Sequence, residues 1–375
     1  LSDGRVLYMS EDIIAPFERR SFRRAYDIPV LPLKKESVDD TVMENAYLRV
    51  KVNPDGSMSL IDKDTGREVF EDSGNHLFLF KDIPPYWDAW DISIAHEKHG
   101  KRLIPEKVTK IEWGPLREAV RVTYKLEGSS IIQIYTLTRE SRRVDVETTI
   151  DWHMRRTMLK AEFPLRLLSR SASFDLGCGY IQRSTHCNRT TDQAMFEVPG
   201  HRWVDMSEFG FGTSILNNGL YGYSVRQNKI SLTLLRSPIF PDFLSDEGQH
   251  CLVYSIFPHD GASLLPTVKE TDLLNRPLFV LDGELDSFPE KVLTFSHGSD
   301  TLKLMSLKRC REGGFVVRIC ETLGRRGTTT LRCALPFDQV FLSNALEEPL
   351  EELKSEYGHV ELEHSPFCLI TLIFR

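Results

Sequence analysis

The chain has 375 residues, of which 41% are hydrophobic and 27% charged, a composition typical of a soluble globular protein with two or three domains. Its net charge of −7 gives no electrostatic basis for binding nucleic acid or an anionic membrane, and no run of about 18 apolar residues predicts a membrane-spanning helix. Seven cysteines, an odd number without a CxxC pair, favour reduced thiols and a cytoplasmic location over a disulfide framework.

The first 40 residues show no clear domain start. Residues 5–9 could form a short strand, and residues 17–24 carry four arginines, which we interpret as a solvated edge, with an anion-binding patch as the alternative. The chain opens at Leu1 rather than Met. We therefore expect residues 1–40 to be the remnant of a small β domain or a linker, and the chain to be part of a longer protein.

From residue 45 onward, apolar and polar residues alternate in short runs separated by turn residues. The turn Asn53-Pro54-Asp55-Gly56 combines a fixed φ at proline with a positive φ at glycine, and so predicts a hairpin. Strands at roughly ten-residue spacing predict an all-β fold, a large antiparallel sandwich over residues 41–285. The predicted strands are 47–52, 57–62, 68–70, 75–81, 107–114, 119–126, 130–137, 143–152, 162–168, 174–178, 213–216, 219–226, 229–235 and 278–281.

The composition changes near residue 285, and a second set of alternating strands follows. These strands predict a smaller β-sandwich domain over residues 286–375. Residues 347–356 are the best helix candidate, limited to a turn or two by their proline. The predicted strands are 302–308, 314–321, 328–335, 340–344, 359–362 and 368–374.

The stretch DIPPYWDAWDI at residues 82–92 is the first candidate site. Its two prolines indicate a loop, because proline cannot donate to a sheet ladder. Trp87 and Trp90 lie beside Asp88 and Asp91, and indole rings next to carboxylates suit a sugar, whose apolar face stacks while its hydroxyls meet acceptors. The alternative is that the tryptophans plug one end of the sandwich while the aspartates cap turns.

The stretch from Glu197 to Tyr223 is the second candidate. Five polar or aromatic residues fall within eight positions, between glycines at 200, 210 and 212: His201, Arg202, Trp203, Asp205 and Glu208. They could form an acid–base cluster. The interpretation that we favour is a structural ion-pair network with Trp203 buried.

The stretch from Arg236 to His250, with His259 beyond it, is the third candidate. Asp242, Asp246 and the two histidines are potential ligands, but they lack tight metal spacing, which favours structural roles. The chain also contains no HExxH, GxSxG, phosphate-binding or dinucleotide-binding motif. The residues therefore give no complete catalytic apparatus.

Seven stretches nevertheless resemble, in the expected order, the C-terminal β region of glycoside hydrolase family 38 α-mannosidases. Leu159 stands where that family has tryptophan, and Cys320 stands where an aromatic residue is usual. The resemblance extends over about residues 44–375. The stretches are 44–69, 82–92, 159–165, 197–223, 234–242, 257–261 and 307–321.

The resemblance implies a retaining exo-α-mannosidase in which one aspartate attacks the anomeric carbon, a second carboxyl acts as acid and base, and zinc holds the 2- and 3-hydroxyls. In that family these groups belong to an N-terminal α/β domain and a helical bundle, so we assign no catalytic or metal residue here. The resemblance also implies a galactose-mutarotase-like supersandwich followed by a smaller sandwich. The implied partners are the missing catalytic domain and an α-mannoside.

Our hypothesis is that residues from the first two candidate stretches converge on one face and form a wall of the substrate cleft. We expect the chain alone to be inactive. Two other functions stay open: a stand-alone carbohydrate-binding module, and a mutarotase-like epimerase that uses His201 with Glu208. Homo-oligomerisation stays open as well. The predicted substrate-binding residues are Trp87, Asp88, Trp90, Asp91, His201, Arg202 and Trp203.

Overall fold

The computed structural model describes residues 41–278, 289–296 and 300–375, and antiparallel strands dominate them. The predictions for residues 1–40 and for a boundary near residue 285 lie outside the described residues, as does most of the strand predicted at 278–281. The described residues divide into two compact units. One contains residues 41–175 and 181–277, and the other contains residues 176–180 and the described residues from 278 onward.

The first unit contains three antiparallel sheets. A nine-stranded sheet has the order β13-β12-β15-β16-β19-β10-β9-β8-β7, a six-stranded sheet has the order β14-β17-β18-β11-β5-β6, and a four-stranded sheet has the order β1-β2-β3-β4. The strands are β1 (Val42–Glu44), β2 (Leu48–Val52), β3 (Met58–Asp62), β4 (Arg67–Glu68), β5 (His76–Lys81), β6 (Lys101–Arg102), β7 (Lys107–Trp113), β8 (Arg117–Leu126), β9 (Ser129–Thr138), β10 (Val144–Trp152), β11 (Thr157–Pro164), β12 (Ser171–Asp175), β13 (Tyr180–Ser184), β14 (Val198–Pro199), β15 (Trp203–Glu208), β16 (Phe211–Asn217), β17 (Gly222–Arg226), β18 (Lys229–Arg236) and β19 (Gly248–His259).

One core lies between the nine-stranded and six-stranded sheets. Inward-facing residues such as Val144, Val146 and Ile150 on β10 are fully buried, as the alternation of the sequence predicts. Phe163 of the six-stranded sheet meets Tyr254 of the nine-stranded sheet edge to face, with ring centroids 6.0 Å apart. This two-sheet architecture confirms the predicted all-β supersandwich.

A buried polar network lies inside this core, centred on Asn75. The Asn75 amide donates to the Gln133 side chain at 3.1 Å and to the Tyr135 hydroxyl, and it accepts from the Tyr254 hydroxyl at 2.5 Å. The Gln133 amide in turn donates to the Tyr254 hydroxyl at 2.6 Å. The network joins the residue before β5 to the middle of the nine-stranded sheet, and each of its four polar side chains has a hydrogen-bond partner.

Three helices accompany the sheets of the first unit: a 3-10 helix (Ile94–His99), α1 (Thr190–Ala194) and α2 (Leu265–Asn275). The longest, α2, packs on the outer side of β15 and β16. The sequence did not predict α2, because its buried residues are Thr267 and Thr271 rather than an apolar stripe. No helix in the part of the chain that the structure describes has the length and apolar character to cross a membrane.

The second unit contains two sheets around a core of its own. The four-stranded sheet has the order β20-β23-β27-β26, and the five-stranded sheet has the order β21-β22-β28-β24-β25. Inward residues of both sheets form this core, which confirms the smaller β-sandwich. The strands are β20 (Leu293–Phe295), β21 (Leu302–Arg309), β22 (Phe315–Glu321), β23 (Gly327–Cys333), β24 (Val340–Ser343), β25 (Pro349–Leu353), β26 (Ser355–Glu356), β27 (His359–His364) and β28 (Leu369–Phe374).

The helix predicted at residues 347–356 is wrong, because that segment forms β25 and β26. β25 pairs with β24 at the edge of the five-stranded sheet, with Glu352 opposite Phe341. An edge strand accepts Pro349 at its first position, since the missing N–H costs no ladder bond there. The available sheet edge therefore outweighs the weak helical spacing of the two leucines.

Candidate functional site

The loop of residues 82–93 leaves β5 at one end of the six-stranded sheet, and its shape is fixed by Arg236 at the end of β18. The Arg236 guanidinium pairs with the buried carboxylate of Asp82. It also donates to the carbonyl oxygens of Asp88 at 2.8 Å, Ala89 at 3.1 Å and Asp91. One side chain therefore holds four positions of the loop.

Asp88 fastens the loop a second time. Its side chain is 9% exposed, accepts a hydrogen bond from the backbone N–H of Ile239 at 2.6 Å and lies 3.6 Å from the guanidinium of Arg156. Both contacts of the Asp88 carboxylate are with groups of the protein itself. Asp88 therefore has a structural role in the loop, and its contact with sugar hydroxyls stays a prediction.

Trp87 and Trp90 are displayed by this loop rather than packed beneath it. They are 69% and 67% exposed, and their rings meet edge to face with centroids 6.5 Å apart. Trp87 has a φ of 57°, an unusual conformation for a bulky residue, and its carbonyl accepts from the N–H groups of Trp90 and Asp91. The alternative in which the tryptophans plug the sandwich is contradicted by their exposure.

Further exposed aromatic residues lie in the same loop and in the segment bonded to it. Tyr86 of the same loop is 76% exposed, and Phe240 and Phe243 of the neighbouring segment are 59% and 55% exposed. The Arg155 guanidinium lies 4.0 Å from the centroid of the Phe243 ring. The hydrogen bond from the N–H of Ile239 to Asp88 joins this second exposed aromatic segment to the tryptophan loop.

His201 lies at the same end of the six-stranded sheet as this loop. The C-terminal ends of β14 and β5 lie at the same end of the sheet. This follows from the registers of the four intervening strand pairs, β14–β17, β17–β18, β18–β11 and β11–β5. The two strands are four spacings apart in the sheet order, which corresponds to about 19 Å. The exposed His201 ring contacts Tyr221 edge to face at 5.4 Å.

Arg202 and Trp203 take structural positions. The Arg202 guanidinium is 3.0 Å from the carboxylate of Asp175 and 3.2 Å from that of Asp272 on α2. Trp203 is 2% exposed. This part of the stretch therefore matches the favoured interpretation of an ion-pair network over a buried tryptophan.

Asp205 and His259 form a buried pair on the side of the nine-stranded sheet that α2 covers. His259 Nε2 donates to Asp205 at 2.7 Å, while His259 Nδ1 accepts from the N–H of Gly261 at 3.1 Å. Ser214 donates to the same aspartate at 2.9 Å and contacts Thr267 of α2 at 2.7 Å. In a catalytic triad, serine and aspartate bond to opposite nitrogens of the imidazole, whereas here both approach Nε2. The cluster is therefore structural, and its hydrogen bond to Thr267 attaches α2 to the sheet.

Glu208 lies at the far end of β15 from His201. Its carboxylate accepts from Arg67 at 2.8 Å and from the N–H of Leu168 at 2.8 Å. The hydrogen bond from Leu168, followed by the contact with Arg67, lowers the pKa of Glu208. The length of β15 separates Glu208 from His201 by more than about 16 Å. The acid–base pair required by the epimerase alternative is therefore not formed.

The third candidate stretch is held by local hydrogen bonds. His250 Nε2 faces the carbonyl oxygen of Asp246 at 2.8 Å, and Asp242 accepts from the N–H of Leu244 at 3.0 Å. Nowhere in the described ranges do three His, Cys, Asp or Glu residues form a group that could hold a metal ion. The described residues of this chain therefore do not fit the zinc that the resemblance implies.

The sequence did not predict the supporting role of Arg236, nor that Lys160, Glu197 and His96 form a buried cluster. Lys160 contacts the Glu197 carboxylate, and His96 Nε2 lies 3.6 Å from it. Two signals were available in the sequence: a lysine between the apolar residues Leu159 and Ala161, and an arginine that ends a strand before two prolines. Both residues act through partners that lie far along the chain.

The fold and the displayed aromatic loop are those of a β-sandwich region of a glycoside hydrolase. Residues 43–244 match the profile of the glycosyl hydrolases family 38 C-terminal domain, and residues 301–372 match that of the family 38 C-terminal beta sandwich domain. The chain belongs to glycoside hydrolase family 38, whose C-terminal region it contains.

Curated relatives extend this similarity over most of the chain. The chain is 32% identical to alpha-mannosidase G of Dictyostelium discoideum over 95% of its own length and 34% of that protein. It is likewise 32% identical to human alpha-mannosidase 2C1 over 92% of its own length and 35% of that protein. The chain therefore spans about a third of the length of these relatives.

Two solved structures share the fold. An alpha-mannosidase from Enterococcus faecalis V583 superimposes with a TM-score of 0.72 at 19% identity, covering 91% of this chain and 42% of that one. A second family 38 protein from Enterococcus faecalis gives a TM-score of 0.74 at 18% identity, covering 91% and 44%. At this identity the likeness establishes the architecture.

Proposed function

We propose that this chain is the C-terminal β portion of a retaining exo-α-mannosidase, in which the loop of residues 82–93 lines part of the substrate cleft. The observation that carries the proposal is the exposed pair of Trp87 and Trp90, whose rings meet edge to face. Exposed indole rings at fixed positions offer flat apolar surface on which the C–H face of a pyranose can stack.

Polar groups beside the pair complete the proposed surface. The carboxylate of Asp91 is exposed and can accept hydrogen bonds from sugar hydroxyls. His201 and Tyr221 add a second polar and aromatic patch at the same end of the sheet. Asp88 holds the tryptophan loop, whereas the side chains of Arg202 and Trp203 are paired or buried elsewhere.

We place the catalytic carboxyls and the zinc site in the remainder of a longer polypeptide. The described residues offer no set of metal ligands, and the relatives are about three times as long as the matched region. No step of glycoside hydrolysis is assigned to this chain. We also propose a cytoplasmic location, on the odd cysteine count without a CxxC pair.

The first experiment measures hydrolysis of an aryl α-mannoside by the complete polypeptide and by a Trp87→Ala/Trp90→Ala variant. We expect KM to rise about tenfold, equivalent to about 1.4 kcal/mol, with kcat nearly unchanged, because stacking binds substrate and transition state alike. Phe209→Ala is the matched control, since Phe209 is a fully exposed aromatic residue on a separate hairpin. Equal KM values for all three proteins would remove the loop from the substrate site.

The isolated chain gives a second, independent test. Purified residues 1–375 with added zinc should release no product from the aryl α-mannoside, and turnover would contradict the placement of the catalytic groups elsewhere.

A stand-alone carbohydrate-binding module is the second candidate function. The contacts of Arg236 and Asp88 that hold the loop are all made within the first unit, so they need no other domain, and this favours the module. Calorimetric titration of the isolated chain with mannose and mannobiose separates the two functions. Saturable binding by the isolated chain favours the module, whereas binding by the complete polypeptide alone favours the cleft wall.

A further inference from the structure

We propose that Arg236 is a positioning residue for the mannoside site: it sets the mutual orientation of Trp87 and Trp90. The part of this inference that concerns sugar rests on the proposed function. The part that concerns the tryptophan pair does not. Arg236 itself would touch no substrate, since its side chain is 16% exposed and faces the backbone of the loop.

The geometry gives Arg236 control of both sides of Trp90. Its guanidinium donates to the carbonyl oxygens of Asp88 and Ala89, which precede Trp90, and to that of Asp91, which follows it. The planar fork of five N–H donors can meet several acceptors at once, and the carboxylate of Asp82 fixes the plane of the fork.

The loop has little internal means of keeping this shape. Pro84 and Pro85 donate no backbone hydrogen bonds, and Trp87 is held at a φ of 57°. The backbone within the loop contributes the bonds from Trp90 and Asp91 to the Trp87 carbonyl. A strained residue persists only when its surroundings determine it, and here the contacts of Asp88 with Ile239 and Arg156 act together with those of Arg236. The contacts of Asp88 lie before Trp90, so Arg236 is the side chain that holds the backbone on both sides of Trp90.

Lysine cannot replace this arrangement. An ammonium group keeps the charge opposite Asp82, but it is a single point donor and cannot span three carbonyl oxygens as a guanidinium does. Arg236→Lys should therefore preserve the ion pair at the sheet while freeing the tryptophan loop. This makes Arg236→Lys the informative substitution.

Two readouts on the complete polypeptide test the inference. The first is the exciton signal of the two indoles in circular dichroism, identified as the difference between the parent protein and Trp90→Phe. The second is the kinetics of aryl α-mannoside hydrolysis. For Arg236→Lys we expect loss of the exciton signal and a KM about tenfold higher, with kcat nearly unchanged.

Arg117→Lys is the matched control, because Arg117 makes a comparably buried two-point pair with Glu112 in the nine-stranded sheet. It should keep both the exciton signal and KM. An unchanged exciton signal in Arg236→Lys overturns the inference, whatever the kinetics. An unchanged KM in Trp87→Ala/Trp90→Ala overturns the proposed function instead, so the two failures are distinguishable.

A second variant keeps the inference testable if Arg236→Lys does not fold. The double substitution Asp82→Asn/Arg236→Gln removes both buried charges together, which avoids leaving either one unpaired. Its two amides can still bond to each other, but the contacts with the three carbonyl oxygens are reduced. Retention of the full exciton signal in the folded double variant would overturn the role of Arg236.

Discussion

Lys160 and Glu197 form a buried ion pair on the outer face of the six-stranded sheet. Their side chains are 2% and 10% exposed, and His96 Nε2 lies 3.6 Å from the same carboxylate oxygen that Lys160 contacts. Lys160 faces outward because its neighbours on β11, Leu159 and Ala161, point into the core. The pair thereby joins β11 to the start of the second candidate stretch and to the 3-10 helix.

Glu197→Ala should destabilise the protein by about 3–5 kcal/mol, because it leaves the Lys160 ammonium buried without a partner. The double variant Lys160→Met/Glu197→Leu should recover most of this loss, since an apolar pair of similar volume carries no desolvation cost. The free energy of unfolding from urea titrations checks both values. A double variant as unstable as Glu197→Ala would show that the cost comes from packing rather than from charge.

The same carboxylate should make stability depend on pH. Burial opposes ionisation of Glu197, but the nearby His96 imidazole and the contact with Lys160 outweigh it and lower its pKa. A lowered pKa in the folded state gives a contribution that is complete above the unfolded value of about 4.3 and is lost as pH falls through the folded value.

Glu197→Gln should therefore flatten the acid limb of the stability curve below about pH 5, relative to the parent protein. Urea midpoints measured across the acid range give the comparison. Glu140→Gln is the control, because its carboxylate is 62% exposed. If Glu197→Gln and the parent protein lose stability in parallel as pH falls, Glu197 is not the group responsible.

Asn75 gives a prediction in which hydrogen bonding and backbone conformation can be separated. It is 1% exposed, has a φ of 61° and bonds to Gln133, Tyr135 and Tyr254. Asn75→Ala should cost about 3–5 kcal/mol, from unsatisfied buried partners and from alanine at positive φ. Asn75→Gly loses the same bonds without the conformational term, so it should be about 1 kcal/mol more stable than Asn75→Ala. Equal stabilities would show that the backbone at Asn75 relaxes.

The sequence predicted what local patterns encode. The hairpin around Asn53–Gly56 and most of the alternating strands appear where expected, because side-chain alternation and turn chemistry act over a few residues. β11 covers Thr157–Pro164 rather than 162–168, β12 ends at Asp175 rather than at 178, and β15 was not predicted. The strand β19 and the helix α2 were missed. The buried residues of α2 are threonines, and β19 begins with Gly248, Gln249 and His250, none of which is apolar.

The supporting contacts of the candidate site could not be predicted, because they join positions distant in the chain. Arg236 and Asp82 are 154 residues apart, and Lys160 and Glu197 are 37 apart. Such pairs follow from the order and register of the sheets, which residue spacing does not determine. The sequence indicated that residues 82–92 and 197–223 were unusual and favoured a buried Trp203, but only the fold showed that Trp87 is exposed.

Gly212 on β16 should tolerate no side chain, because it lies directly against the buried Asp205–His259 pair. A methyl group at this position would be 2.3 Å from the Ser207 hydroxyl oxygen and 2.5 Å from His259 Cε1. The histidine cannot move aside without losing its hydrogen bond to Asp205. Gly212→Ala should therefore cost about 1–3 kcal/mol through overpacking, measured as a fall in the free energy of unfolding.

Gly210 provides the comparison within the same hairpin. It has a φ of 77° with no atom near the position of a side chain, so Gly210→Asn, which suits positive φ and meets open space, should change stability by less than about 0.5 kcal/mol. In the Gly212→Ala/His259→Ala double variant, the smaller side chain at 259 makes room for the methyl group. Its cost should then fall below the sum of the two single costs, as for groups in direct contact. Strict additivity would mean that the methyl group and the imidazole do not compete for the same space.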